Sequence, residues 1–159
     1  MSFDVNKYGS GLPEEVKKRV TNHMNSLERA LTKAGYNEAQ KEAFRAAVGE
    51  YETYAFATNY YKKKMDAAKA EALKFKELYE QPGISDQKAQ EYLAKFNKYY
   101  GELKHYQDEN YHYAKLAENA QGRKKAEMDE LDKTLRIVLD QEKEATTKKS
   151  FGGGMLGGK

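Results

Sequence analysis

Apolar residues recur along this chain in steps of three and four. Val16, Val20, Met24, Leu27, Leu31 and Ala34 fall on one helical face. Pro13 sits where a first helical residue should, and Glu14 and Glu15 suit the positive end of a helix dipole. Gly35 is placed to stop this helix in a left-handed turn. A helix is therefore expected over 13–34, preceded by an extended arm over 1–12 that contains Gly9, Ser10 and Gly11.

A second pattern begins at Asn37, which can cap a helix reciprocally with Gln40. Its stripe runs Phe44, Val48, Tyr51, Ala55, Thr58, Tyr61, Met65, Ala68, Ala72, Phe75 and Tyr79. Near-alternating steps of four and three are those of a coiled-coil seam. Pro82-Gly83 ends this run, since proline cannot continue a helix and glycine permits a tight turn. Ser85 can cap the next helix. Its stripe is Tyr92, Phe96, Tyr99, Leu103, Tyr106, Asn110, Tyr113 and Ala117. The same phase resumes at Met128, Leu131, Leu135 and Val138, and no good cap follows Gly122, so the helix is expected to continue.

The pattern predicts an all-α, elongated protein built on a long antiparallel helical hairpin. Its arms would span about 38–80 and 86–120, continuing to about 145, with the 13–34 helix packed at the open end. A turn centred on Pro82-Gly83 sets Met65 opposite Tyr100, Tyr61 near Leu103, Thr58 near Tyr106 and Val48 opposite Ala117. Residues 13–147 read as a single helical domain. A tail over 148–159 is too rich in glycine to form a regular element alone.

Composition narrows the functions. Of the 159 residues, 39% are apolar and 33% charged, which is charge-rich for a compact domain and better suited to thin seams. Thirteen residues are Tyr and none is Trp. Tyrosine buries its ring while its hydroxyl reaches a polar partner, so it suits half-wet interfaces. There is no cysteine, which excludes disulfides, thiol catalysis and Cys-ligated zinc. The N-terminus lacks the layout of a secretory signal peptide, and no apolar run approaches a membrane span. A cytoplasmic or particle-bound location is expected.

The net charge of +3 is spread along the chain with acids and bases interleaved, unlike the concentrated patch of a nucleic-acid binder. Nucleic acid is therefore not expected as a specific ligand. The short runs Lys62-Lys63-Lys64 and Arg123-Lys124-Lys125 suit phosphate or acidic lipid, or an ordinary solvated face. A peripheral nucleic-acid or membrane adaptor is one alternative function.

The metal-like spacing lies on one helix, as Glu102-x-x-His105 and Glu109-x-x-His112. Such pairs ligate iron in four-helix di-iron bundles, where the two pairs come from different helices. Here both share one helix, and Lys62, Lys63 and Lys64 would stand across from them. A di-iron-like bundle is the second alternative, and a solvated or partner-facing polar surface is the plainer reading. His23 reads as a boundary residue with no base-forming partner nearby in sequence. No catalytic motif is present and no cofactor is expected.

The residues left outside the seams suggest an interface. Tyr54, Tyr60, Tyr100 and Tyr111 point away from the predicted stripes. Leu131, Leu135 and Val138 extend them, and Phe151, Met155 and Leu156 could anchor the tail on a neighbour. In its layout (helical, cysteine-free, charge-rich, with a glycine-rich tail) the chain is similar to small accessory proteins of tailed-bacteriophage virions. That resemblance implies a non-enzymatic structural subunit of a virion, partnered by copies of itself or by other subunits.

Overall fold

In a computed structural model, residues 3–128 and Asp140 are described, with side chains up to Lys125. Among them there are four helices and no strands: α1 (Asn6–Gly9), α2 (Glu14–Lys33), α3 (Glu38–Tyr79) and α4 (Asp86–Met128). The two long helices, α3 and α4, pack against each other as a hairpin.

The local signals act where the sequence placed them. Pro13 stands at the N-cap position of α2, just before its first residues Glu14 and Glu15. Gly35 turns at φ +93°, and the Tyr36 and Gly35 N–H groups donate to the carbonyls of Leu31 and Thr32, closing the helix end. The Asn37 N–H donates to Gln40 Oε1 at 2.9 Å, while the Gln40 N–H donates to Asn37 Oδ1 at 2.9 Å. Gly83 turns at φ +80°, and Ser85 Oγ accepts from the Lys88 N–H. α4 runs through Gly122 without a break.

The described residues form two compact units, residues 3–56 with 116–128, and Ala57–Lys115. The first has a broad core. α2 contributes the buried Val16, Val20, Met24, Leu27 and Leu31, and α3 the buried Phe44 and Val48. The expected extended arm is folded onto this core: it carries α1 and buries Phe3, Val5, Gly9 and Leu12. The Phe3 ring lies where a side chain on Gly49 would stand, so the glycine supplies its seat. With neighbours on several sides, α3 buries consecutive residues here, Ala47 to Gly49 and Glu52 to Tyr54.

The second unit is held by a narrow seam. α3 buries only Ala57, Tyr61, Ala68, Ala72 and Phe75. Between Asp86 and Lys115, α4 buries no residue fully. Tyr61 stacks on Tyr113 with ring centroids 5.8 Å apart and is tilted against Tyr106. Phe75 stacks on Tyr99 at 5.8 Å and is tilted against Tyr92. The Asn110 side-chain amide donates to the Thr58 carbonyl at 2.9 Å.

These contacts correct the expected register by about one helical turn. Thr58 pairs with Asn110, Tyr61 meets Tyr106 and Tyr113, and Tyr100 stands exposed. The cause is the lean of side chains toward the N-terminus of their own helix. In an antiparallel pair, α3 side chains lean away from the turn and α4 side chains toward it. An α3 residue therefore meets residues further along α4, and long tyrosines amplify the offset.

Candidate functional site

Two arrangements could carry function. One is a buried polar chain in the first unit, and the other an exposed aromatic face in the second.

The polar chain links α2, α3 and α4. His23 lies four residues before Leu27 and one before Met24, on the buried face of α2, and is only 4% exposed. Its Nε2 stands 3.1 Å from Glu52 Oε1, and Glu52 is 2% exposed. The other carboxylate oxygen, Oε2, meets Lys124 Nζ at 3.6 Å. His23 Nδ1 has no hydrogen-bond partner among the described residues, and the ring packs against Phe56 at 5.2 Å. Lys124 also lies over the Tyr51 ring at 4.4 Å, and Arg123 donates twice to Glu50. Nearby, Arg45 bridges Glu28 and Glu42.

A substrate would need a path to this chain of groups, and both His23 and Glu52 are enclosed. The arrangement ties three helices together. His23, expected at a boundary, is buried, and Glu52 was not singled out from the sequence. The one hint is that Glu52 follows Val48 by a single turn, on the edge of the α3 stripe. Arg123 and Lys124, read as a possible phosphate-binding run, are engaged with carboxylates of α3.

The aromatic face lies on α4, on the flank of its seam. Leu93 is 40% exposed, Tyr100 45% and Tyr111 65%. Phe96 stacks on Tyr100 at 5.7 Å, Lys104 lies over the Tyr100 ring at 5.6 Å and Lys115 over the Tyr111 ring at 6.0 Å. Lysine stems laid along aromatic rings cover part of their apolar area while the ammonium groups stay in water. On α3, Leu73 is also exposed.

The expected interface tyrosines divide. Tyr100 and Tyr111 are outward. Tyr60 is half-buried, edge-on to Tyr61 at 5.1 Å, with Lys64 over it. Tyr54 is buried in the first unit beside Glu50 and Arg123, and burial chiefly pushes its phenol pKa up. Leu131, Leu135, Val138, Phe151, Met155 and Leu156 lie outside the described residues.

The Glu-x-x-His pairs occupy a third face of α4. His105 and His112 are exposed and lie against the neighbouring Tyr106 and Tyr113 rings, while Glu102 and Glu109 are half-buried. Glu109 acts on Tyr61 instead. Burial chiefly, and then the Glu109 charge, push the Tyr61 phenol up to about 12. Among the described residues no three His, Cys, Asp or Glu side chains come together as a metal site. Nor is any described helix long and apolar enough to cross a membrane.

No family model, curated protein or solved structure matches this chain.

Proposed function

We propose that this chain is a non-enzymatic structural subunit of a multi-protein assembly, which binds its neighbours through the tyrosine-bearing outer face of α4. One observation carries the reading: between Asp86 and Lys115, α4 buries no residue fully yet exposes Leu93, Tyr100 and Tyr111. Large exposed apolar side chains on a regular face mark association surfaces, and tyrosine is enriched at them. A partner would supply the burial that the narrow seam lacks. The enclosed His23–Glu52 pair suits a fold-holding role rather than turnover. A virion is the kind of particle that the layout of the sequence suggests.

The test is the mass of the native complex. The chain, tagged and produced at its natural level in its own cells, should sediment in a particle far above its own 18.2 kDa. Sedimentation at the monomer mass would refute the reading.

A further inference from the structure

We propose that the outer face of α4 pairs with the same face of a second copy of this chain, antiparallel, about a twofold axis between Lys104 and Gln107. The inference rests on the assembly reading for its use of this face, and names the partner.

The residues sharing the face are Leu93, Asn97, Tyr100, Lys104, Gln107, Tyr111 and Ala114. Their steps alternate four and three, the spacing of a coiled-coil seam. This seam is distinct from the one that meets α3, which uses Tyr92, Tyr99, Tyr106 and Tyr113. The series from Asn97 to Ala114 also reads symmetrically about its midpoint. A twofold requires that if one residue contacts a second, the second contacts the first. Here Asn97 would face Ala114, Tyr100 would face Tyr111 and Lys104 would face Gln107, each pair occurring twice.

Charge selects the direction. In the antiparallel pairing, Lys104 of each copy comes beside Asp108 of the other. Both are exposed, and within one chain Lys104 lies over the Tyr100 ring instead. A parallel pairing would set Lys104 against Lys104 and Tyr100 against Tyr100, placing like charges in the seam. The two tyrosines are eleven residues apart, roughly 16 Å along the helix. The antiparallel twofold therefore forms two separate Tyr100–Tyr111 contacts at once, while Tyr111, the most exposed large hydrophobic residue described, loses its contact with water.

A face of about 22 residues buries less than the roughly 800 Å² per partner of a standard interface. Association at about 10–100 µM is expected.

Sedimentation velocity of the full chain from about 1 to 500 µM should show a monomer–dimer equilibrium. Tyr100→Ser with Tyr111→Ser should weaken it at least about tenfold, with circular dichroism confirming that the helices persist. Lys104→Asp should weaken it too, and adding Asp108→Lys should restore it. The chain has no cysteine of its own. Under oxidation, a mixture of Asn97→Cys and Ala114→Cys proteins should give a cross-linked dimer that neither protein forms alone. A purely monomeric chain, a dimer indifferent to both tyrosines, or self-cross-linking of Asn97→Cys would each overturn the proposal. If the purified chain stays monomeric while its native complex remains large, the second-copy inference falls and the assembly reading stands.

Discussion

Replacing Gly49 by alanine should destabilise this protein, although glycine to alanine inside a helix ordinarily does the reverse. In an open helical position alanine gains about 0.5–1 kcal/mol over glycine, because glycine loses more backbone freedom on folding. At Gly49 an added Cβ would stand 2.5 Å from Phe3 Cε1 and 3.3 Å from Cζ. The ring must retreat by about 1 Å to reach ordinary contact. Phe3 is buried, and full burial of a phenylalanine contributes about 1.5–3 kcal/mol. Losing most of that and regaining the helix preference leaves a net destabilisation of about 1 kcal/mol. Urea unfolding followed by circular dichroism would measure it. The decisive comparison is a double-mutant cycle. With Phe3→Ala in place, Gly49→Ala should stabilise by about 0.5–1 kcal/mol, since nothing then opposes the methyl. Gly122→Ala, whose Cβ would meet nothing within 4 Å, should behave likewise in the native background. If Gly49→Ala stabilises with Phe3 present, or acts equally in both backgrounds, Phe3 is not seated on Gly49 and the N-terminal segment is not part of the core.

The buried polar chain should be costly to open. Glu52→Ala leaves His23 enclosed without its acceptor, a loss of about 3 kcal/mol in urea unfolding, whereas Glu52→Gln, which keeps an acceptor oxygen, should lose about 1; a loss under 1 kcal/mol for the alanine variant would contradict the pairing. Alkaline pH should act through Tyr61. The native state holds this proton up to about pH 12, while the unfolded chain releases it from its ordinary 10.0. That stabilisation is therefore fully present below pH 10 and is lost as pH rises toward 12, by up to roughly 2–3 kcal/mol. Tyr61→Phe should show a smaller fall in stability than the native chain between these pH values, and parallel curves would refute the assignment.

Features set by neighbouring residues were legible in the sequence, and those set by distant ones were not. Gly35, the Asn37–Gln40 box, Pro82-Gly83 and Ser85 act through geometry within four residues, so type and spacing sufficed to place them. The α3–α4 hairpin followed from two stripes with a break between them. Its register did not, because helical wheels place Cα atoms while tyrosine rings reach well beyond them. The N-terminal segment looked like an arm because Gly9 and Gly11 break its pattern. What buries Phe3 is a notch at Gly49, more than forty residues away. Tyr54 looked outward on a two-helix seam, but in the first unit α3 is covered on several sides. His23 and Glu52 are each unremarkable alone, and only packing makes them a pair. Tyr100 and Tyr111 were legible as outward residues because no described residue covers their flank of α4.

The central claim, that this face serves assembly, is tested most directly in the native complex itself. The tagged chain and its Tyr100→Ser/Tyr111→Ser variant, each produced at natural level in the original cells, would be sedimented side by side. The native chain should run as a large particle and the variant should shift toward its monomer mass. Co-sedimentation of the two in the same large particle, or of both as monomers, would contradict the claim.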